Sequence, residues 1–173
     1  VFTEFTYGGG ITKMDVRDLR NCLGSFATGV TVVTWGEEDE VKKGITVNSF
    51  TSVSLDPPLI LVSIDKNAKA YESLKNKSFI VNILSSGQEA IAWQFAGREQ
   101  QGVTIEWEES EYGPKIKGAL ATIECSPWKE YDGGDHVLFL GEVKNYTYQE
   151  DDGLVFFKGK FRQTKAIENY VTD

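Results

Sequence analysis

The 173 residues include 18 Lys and Arg against 26 Asp and Glu, which gives a net charge of -8 at pH 7. Hydrophobic residues make up 40% of the chain and aromatic residues 12%, so the chain can bury the core of a single domain and extended disorder is excluded. The sequence has no basic stripe for nucleic acid, and its longest apolar runs (30–35 and 59–64) are far shorter than the roughly 20 residues that span a bilayer. We therefore expect a cytoplasmic protein without nucleic-acid or membrane partners.

The first thirteen residues, VFTEFTYGGGITK, precede the only methionine of the chain, Met14. This stretch is typical of a vector-derived extension or a poorly ordered arm, so residues 1–13 are predicted to be a leader outside the fold. The domain is then expected to span residues 14–173. The GGG of the leader is consequently no evidence of a phosphate-binding loop.

A helix is predicted directly after Met14, because apolar residues recur at helical spacing and Asp15 is placed to cap the first turn. The apolar positions are Val16, Leu19, Leu23 and Phe26. We expect this amphipathic helix to pack on the core.

The two cysteines lie far apart, Cys22 in this helix and Cys125 at the end of a later strand. Neither belongs to a CxxC or Cys/His ligand pattern, so no metal site is predicted. Both are interpreted as reduced cysteines that act as small hydrophobic residues.

Two β-branched and aromatic segments, GVTVVTW (29–35) and GITVNSF (44–50), flank the acidic sequence EEDE (37–40) and predict a hairpin. Asp56-Pro57-Pro58 requires extended backbone and introduces the apolar strand LILVSI (59–64). A short helix with Ala70, Tyr71 and Leu74 on one face is expected next, followed by the buried strand FIVNIL.

The second half of the chain begins with a capping-box pattern at residues 86–89, which predicts a helix with Ile91 and Phe95 on one face. The charged stretch Gly97 to Gly113 is interpreted as a long surface loop. Three further strands are predicted between turn signals, over residues 119–125, 136–148 and 154–161.

Many β-segments with a few short helices and no regular βαβ alternation favour a mainly β fold, a closed or partly closed barrel. No repeat of 20 to 50 residues recurs. The GxGxxG fingerprint is absent, so a nucleotide would not bind through a Rossmann turn.

Short polar side chains are dense in residues 44–69, in two clusters. The first cluster is Thr46, Asn48, Ser49, Thr51, Ser52 and Ser54, and the second is Ser63, Asp65, Lys66, Asn67 and Lys69. Hydroxyl and amide groups can bind a phosphate or the polar edge of a ring, and Lys66 adds charge before a helix N-terminus. From chemistry alone, ordinary strand-edge Ser and Thr and a capping Asn67 remain the alternative.

Several segments resemble one known family. They are RNCLGSFATGVTVVTW, GITVNSFTSVSLDPPLILVSIDKNA, IVNIL with WQFAG, GALATIECS, GDHVLFLGEV and FFKGKFR. Their order and spacing are similar to those of the flavin reductase-like, FMN-binding split-barrel family, which includes the reductase components of two-component monooxygenases. The resemblance covers nearly everything from Met14 to Arg162. It implies a Greek-key split barrel, a homodimer, FMN or FAD in a groove, oxidation of NADH or NADPH, and a partner monooxygenase that receives reduced flavin.

The resemblance also implies roles for individual residues. The isoalloxazine would be bordered by Thr28 and Val30, and its polar edge or the ribityl chain would be contacted by Asn48, Ser49, Phe50 and Thr51. The phosphate would be held by Ser63 and Lys66, and one side of the site would be closed by Phe95 and Ala96. The nicotinamide nucleotide would be met by His136, with Phe161 and Arg162 nearby. His136 is the only histidine of the chain and the one candidate catalytic residue. Hydride transfer between two stacked rings needs no acid or base from the protein, so positioning is the expected mechanism.

Some positions depart from the family pattern. Phe161 stands where Tyr is frequent and Lys158 and Lys160 where Arg often appears, and these changes weaken inferences about dinucleotide contacts. Trp35 and Ser63 replace a frequent Thr and a frequent Cys. Two alternatives stay open: a non-catalytic flavin carrier or redox sensor, and a pyridoxamine phosphate oxidase-like enzyme, which would want a basic cluster that the sequence lacks.

Overall fold

The computed structural model describes residues 4–7, 10–37 and 41–165. Residues 38–40 of the predicted acidic turn and residues 1–3 and 8–9 of the predicted leader lie outside the described residues. Within the leader, strands β1 (Glu4–Tyr7) and β2 (Gly10–Lys13) pair antiparallel. The interpretation of residues 1–13 as a leader stays a prediction.

The other described residues are mainly β, with three short α-helices: α1 (Val16–Leu23), α2 (Lys69–Leu74) and α3 (Glu89–Phe95). The strands, in chain order, are β3 (Thr28–Gly29), β4 (Thr31–Gly36), β5 (Lys42–Val47), β6 (Thr51–Leu55), β7 (Pro58–Asp65), β8 (Phe79–Ile83), β9 (Trp107–Ser110), β10 (Gly113–Ile116), β11 (Ala121–Gly133), β12 (His136–Tyr148), β13 (Leu154–Phe157) and β14 (Lys160–Gln163). No helix among the described residues is long and apolar enough to cross a membrane.

The main sheet has seven antiparallel strands in the order β5-β4-β8-β11-β12-β7-β6. Its two edge strands are consecutive in the sequence and only residues 48–50 separate them. In a flat sheet, six gaps of about 4.8 Å would place these edges roughly 29 Å apart. The connection from Val47 to Thr51 spans at most about 14 Å. The sheet therefore curls into a barrel that stays open between β5 and β6, as predicted for a split barrel.

The barrel interior is filled by side chains from alternate positions of the curled sheet. The cluster includes Val33, Trp35, Ile60, Val62, Ile64, Phe79, Val81, Cys125 and Phe139. A second cluster packs on the outer face of β4 and includes Val30, Val32, Leu84, Ala92, Ile116 and Leu154. β4 is therefore buried on both faces, which explains its uninterrupted β-branched sequence.

A buried polar network joins β4, β8 and β10. The Asn82 side-chain amide donates to Val32 O and to Thr34 Oγ1, both at 2.9 Å, and its Oδ1 accepts from Ile116 N at 2.8 Å. Thr34 Oγ1 in turn donates to Pro114 O at 2.6 Å. Each buried polar atom in this network is satisfied, so the network fixes the relative position of the three strands.

The first helix forms as predicted, but it does not pack on the core. Asp15 Oδ1 accepts hydrogen bonds from Arg17 N at 2.8 Å and Asp18 N at 3.3 Å, which confirms the predicted cap. No residue of α1 is buried. The predicted core packing is therefore wrong within the described chain, because periodicity identifies an apolar face but not what covers it. Cys22 is exposed on this helix, whereas Cys125 is buried.

Several predicted boundaries need correction. Gln88 Oε1 accepts from Ser85 N at 3.0 Å, so the capping box begins at Ser85, one residue early, and a 3-10 turn precedes α3. The predicted loop Gly97 to Gly113 contains β9, which pairs with β10. The predicted strand 154–161 is the hairpin β13–β14, because Lys158 and Gly159 turn the chain with positive φ. β11 runs to Gly133, eight residues beyond the predicted strand 119–125, and β5 ends at Val47, three residues before the end of the predicted segment 44–50. The remaining predicted strands and α2 are confirmed.

Candidate functional site

A groove of about 1300 Å³ opens beside the split of the barrel. It is lined by the end of α1, by β3, by the loop between β5 and β6, and by the β13–β14 turn. The predicted residues Thr28, Asn48, Ser49, Phe50 and Thr51 all line it. The volume is large enough for a nucleotide-sized cofactor together with part of a second ligand.

The polar part of the groove, residues 48–51, is held in place by its connection to β7. Ser49 Oγ donates to Ser63 O at 2.9 Å and accepts from Ser63 N at 3.0 Å. Thr31 Oγ1 donates to Val47 O at 3.0 Å just before the loop. The Ser49 hydroxyl thus continues the β6–β7 pairing beyond the Thr51–Leu61 pair, and Ser63 acts by fixing Ser49.

Thr28 has a feature that points to a ligand. Its Oγ1 is the one buried side-chain nitrogen or oxygen without a hydrogen-bond partner in the part of the chain that the structure describes. An unsatisfied buried hydroxyl costs about 1 to 3 kcal/mol. Thr28 lines the groove, so a hydrogen-bonding ligand there would remove this cost. This fits the polar edge of a flavin ring.

The sequence did not predict the remaining groove residues as flavin contacts: Phe26 was expected in the core, and Lys158 was noted only as a departure from the family pattern. Phe26 and Phe156 contribute apolar surface, and Arg20 and Lys158 contribute positive charge. The sequence prediction placed Lys158 and Gly159 within a strand, so it missed the turn that brings Lys158 to the groove. Their position beside residues 48–51 depends on contacts between elements far apart in the chain.

Lys66 and His136 lie together at a different place, where β7 ends beside the β11–β12 turn. Lys66 Nζ donates to Asp132 Oδ1 at 2.5 Å and to Gly134 O at 2.7 Å. The Lys66 ammonium lowers the pKa of Asp132 below its ordinary value, chiefly through this hydrogen bond. The charge of Lys66 is therefore compensated within the protein, and Lys66 does not line the groove.

The His136 ring is oriented by its neighbour in sequence. Its Nδ1 lies 2.7 Å from Asp135 Oδ1, and this hydrogen bond lowers the pKa of the Asp135 carboxyl. Adjacent residues of a strand point to opposite faces, but Asp135 belongs to the turn, so its carboxylate can reach the ring of its neighbour. His136 is opposite Asp65, two residues beyond Ser63 on β7, or about 7 Å along the strand.

Val30, Phe95 and Ala96 are separated from the groove. Val30 is buried in the cluster outside β4. Phe95 and Ala96 line a second cavity of about 650 Å³ with Trp35 and residues 43–46. A Cβ added at Gly44 would meet the Phe95 ring at 2.8 Å, so α3 packs closely on β5 there.

Phe161 and Arg162 lie on β14, beyond the groove turn. Phe161 stacks edge-on against Trp93 at 4.8 Å and Phe156 at 5.5 Å between ring centroids. Arg162 is exposed and lies opposite Val155. Within the described chain, no group of three or more His, Cys, Asp and Glu could hold a metal ion.

A family model described as a flavin reductase like domain matches residues 23–165. The chain belongs to this family. It is 42% identical over 162 residues to an NADH-dependent FAD reductase of Streptomyces globisporus, and the match covers 88% of each protein. It is 40% identical over 149 residues to the reductase component of a flavin-dependent trigonelline monooxygenase of Acinetobacter baylyi. That match covers 84% of the chain and 48% of the relative, so the chain spans about half of that protein's length.

The solved structure of the flavin reductase PheA2 in its native state superposes on this flavin reductase domain with a TM-score of 0.84. The two are 45% identical, over 88% of this chain and all of the other. The predicted family, the split-barrel fold and the enzyme class, a flavin reductase that uses a nicotinamide dinucleotide, are confirmed. The assignment of individual site residues stays a prediction.

Proposed function

We propose that the groove beside the split binds a flavin and that the chain delivers to it a hydride from a nicotinamide dinucleotide. The observation that carries this proposal is the groove, in which the unpartnered buried hydroxyl of Thr28 and the polar residues 48–51 meet apolar Phe26 and Phe156. A bound flavin supplies ring atom N5, which accepts the hydride of nicotinamide C4, so the dinucleotide is oxidised and the flavin is reduced by two electrons.

The groove residues act by binding and orienting the ring. The Asn48 side chain, the Thr51 hydroxyl and backbone N–H groups of the loop are the donors available for a ring edge that gains negative charge. Thr28 donates or accepts at the same ring, while Phe26 and Phe156 exclude water from its face. Val30 supports β3 and β4 from the core, and Phe50 lies within the loop that carries the donors.

His136, Phe161 and Arg162 are proposed to meet the nicotinamide nucleotide. The Asp135 hydrogen bond at Nδ1 orients the imidazole and leaves its Nε2 available for a contact with the dinucleotide. Arg162 is exposed and offers charge to a phosphate, and Phe161 gives a flat apolar surface. Phe95 and Ala96 are proposed to act through the packing of α3 on β5, since they line the second cavity.

A homodimer is proposed to complete the groove. The apolar face of α1 borders the groove and is exposed, with Leu23 at 66% and the adjoining Phe26 at 77%. Leu55 on the edge strand β6 is 95% exposed. Apolar side chains on a helix face and on a sheet edge beside a half-open site are typical of an interface between subunits.

NADH as donor and FAD or FMN as acceptor are the proposed substrates, with FAD first because the Streptomyces globisporus relative is named for it. A monooxygenase component that receives the reduced flavin is the proposed partner, as in the name of the Acinetobacter baylyi relative. The cytoplasmic location expected from the sequence stays a prediction.

The decisive experiment adds NADH to the purified protein with FMN or FAD and follows the nicotinamide absorbance. A reductase oxidises many equivalents of NADH and reduces the flavin. Stable flavin binding without NADH oxidation would instead identify a carrier. Repeating the assay with NADPH, at matched flavin concentration, gives the donor preference as a ratio of kcat/KM values.

A further inference from the structure

The charge of the groove differs from the charge of the whole chain. The chain carries an excess of acidic residues, with 26 Asp and Glu against 18 Lys and Arg. Among the described residues that line the groove there is no carboxylate, and the charged ones are Arg20 and Lys158. Neither forms an ion pair with a described carboxylate within 4 Å, in contrast to Lys66. The groove therefore presents uncompensated positive charge.

Lys158 is held in an unfavourable backbone conformation. It occupies the first central position of the two-residue turn between β13 and β14, with φ of 48°, and Gly159 follows with φ of 74°. Such a turn favours Asn, Asp or Gly at both positions, because a longer side chain is strained at positive φ. A strained residue kept at the edge of a groove is a reason to look for a binding role.

The turn is fixed against the helix that carries the second cation. Lys158 N donates to Gly24 O at 2.8 Å, and Gly24 caps α1. Arg20 lies in the last turn of the same helix. The Lys158 ammonium is 5.4 Å from the centre of the Phe157 ring. One hydrogen bond thus joins the two elements that carry the two groove cations.

We propose that Arg20 and Lys158 form a phosphate-binding rim of the groove, which binds the phosphate of a flavin nucleotide or the diphosphate of the nicotinamide dinucleotide. This assignment rests on the proposed function and replaces Lys66 as the side-chain cation for phosphate. Lys66 is unsuited because its ammonium already binds Asp132 and Gly134. Riboflavin has the flavin ring without phosphate, so the rim adds nothing to its binding.

The test compares Lys158→Asn with Lys160→Asn. Both lysines are exposed and both variants lose one positive charge from the same hairpin, but Lys158 lines the groove and Lys160 does not. Lys158→Asn is expected to weaken FMN binding about tenfold to hundredfold and riboflavin binding less than about twofold. Its melting temperature should equal or exceed that of the wild type, because Asn adopts positive φ more readily than Lys. Lys160→Asn and Lys66→Ala should leave the FMN-to-riboflavin ratio unchanged.

A second measurement distinguishes whether the rim binds the phosphate of the flavin nucleotide or the diphosphate of the nicotinamide dinucleotide. With riboflavin as acceptor, a raised KM for NADH in Lys158→Asn and in Arg20→Gln identifies the dinucleotide, and an unchanged KM with weakened FMN binding identifies the flavin. Lys158→Arg should restore most of the loss in either case.

Other outcomes overturn the rim. They are equal losses for FMN and riboflavin, a loss in Lys66→Ala but not in Lys158→Asn, or unchanged FMN binding together with an unchanged KM for NADH. In each of these the wild type still reduces flavin, so the proposed function stands. If the wild-type protein binds neither FMN nor riboflavin, both the proposed function and the proposed phosphate-binding rim are wrong.

Discussion

At the scale of single residues, the Thr28 hydroxyl is expected to lower the stability of the fold and to strengthen flavin binding. Its hydroxyl is buried without a partner, so replacement by the isosteric Val removes an unsatisfied group. We expect Thr28→Val to raise the free energy of unfolding by about 1 kcal/mol and to weaken flavin binding about threefold to tenfold. Chemical denaturation without ligand and a flavin fluorescence titration measure the two effects.

Thr34→Val is the matched control for Thr28. The Thr34 hydroxyl is also buried, but it donates to Pro114 O and accepts from Asn82 Nδ2. The same replacement there should lower the free energy of unfolding by about 1 to 3 kcal/mol, because two partners lose their hydrogen bonds. If both variants are destabilised alike, the Thr28 hydroxyl has a partner within the protein and its assignment to a ligand is wrong.

His136 is the residue whose replacement should affect the dinucleotide and spare the flavin. We expect His136→Ala to lower kcat/KM for NADH by one to two decades, about 1.4 to 2.7 kcal/mol of transition-state stabilisation. Flavin affinity and thermal stability should change much less, because His136 is absent from the groove lining and partly exposed. Stopped-flow reduction of the bound flavin by NADH is the direct measurement.

Asp135→Asn separates a positioning role from a purely structural one. The carboxylate orients the His136 ring, so its loss should reproduce part of the defect of His136→Ala without removing the imidazole. If the hydride-transfer rate is unchanged in folded, flavin-loaded His136→Ala and Asp135→Asn, then the two residues have only a structural role beside the end of β7.

At the scale of elements, the barrel depends on a position that tolerates no side chain. A Cβ at Gly141 on β12 would meet Phe79 Cζ at 2.6 Å and Cys125 Cβ at 2.7 Å, both in the barrel interior. Gly141→Ala is therefore expected to destabilise the protein by about 1 to 3 kcal/mol, measured by denaturant unfolding.

Gly87→Ala provides the comparison, because nothing lies within 4 Å of the Cβ that would be added there. It should be neutral or stabilising by about 0.5 kcal/mol through the unfolded state. Similar losses in both variants would mean that β12 does not press against β8 and β11 as closely as these distances require.

The interior also determines the chemistry of Cys125. Burial raises the pKa of its thiol to about 12, with a smaller contribution from Glu124. The thiol therefore stays neutral near pH 7 and acts as a small hydrophobic residue, as the sequence indicated. Cys22 is exposed on α1, so the same interpretation does not hold for it.

At the scale of the whole molecule, the exposed face of α1 should be the contact between two copies. We expect Leu19→Asp to convert a dimer into a monomer and to weaken flavin binding, because a charge on this face cannot be buried without a partner. Arg17→Glu on the other side of the helix should remain a dimer. Sedimentation velocity with a parallel flavin titration gives both results, and a monomeric variant that reduces flavin at the full rate would contradict the proposed dimer dependence.

The sequence by itself determined the local elements and the composition of the groove loop. Asp15 had to cap a helix and the β-branched runs had to pair, because each signal lies within a few residues. Asn48, Ser49 and Thr51 were predicted as binding groups from the resemblance to a known family, and this assignment stays a prediction. The split of the barrel follows from the sheet order, in which the two edge strands are only residues 48–50 apart.

Only the tertiary structure decided which charges are available. Lys66 meets Asp132 across 66 positions of the chain, and no local pattern predicts that its ammonium is already bound. No local pattern predicts the position of Lys158 either, because its backbone N–H donates to Gly24 O at the distant end of α1. Contacts between residues so far apart in the sequence depend on how the sheet curls. A sequence motif can therefore predict candidate site residues, but only the tertiary structure determines which of them line the groove.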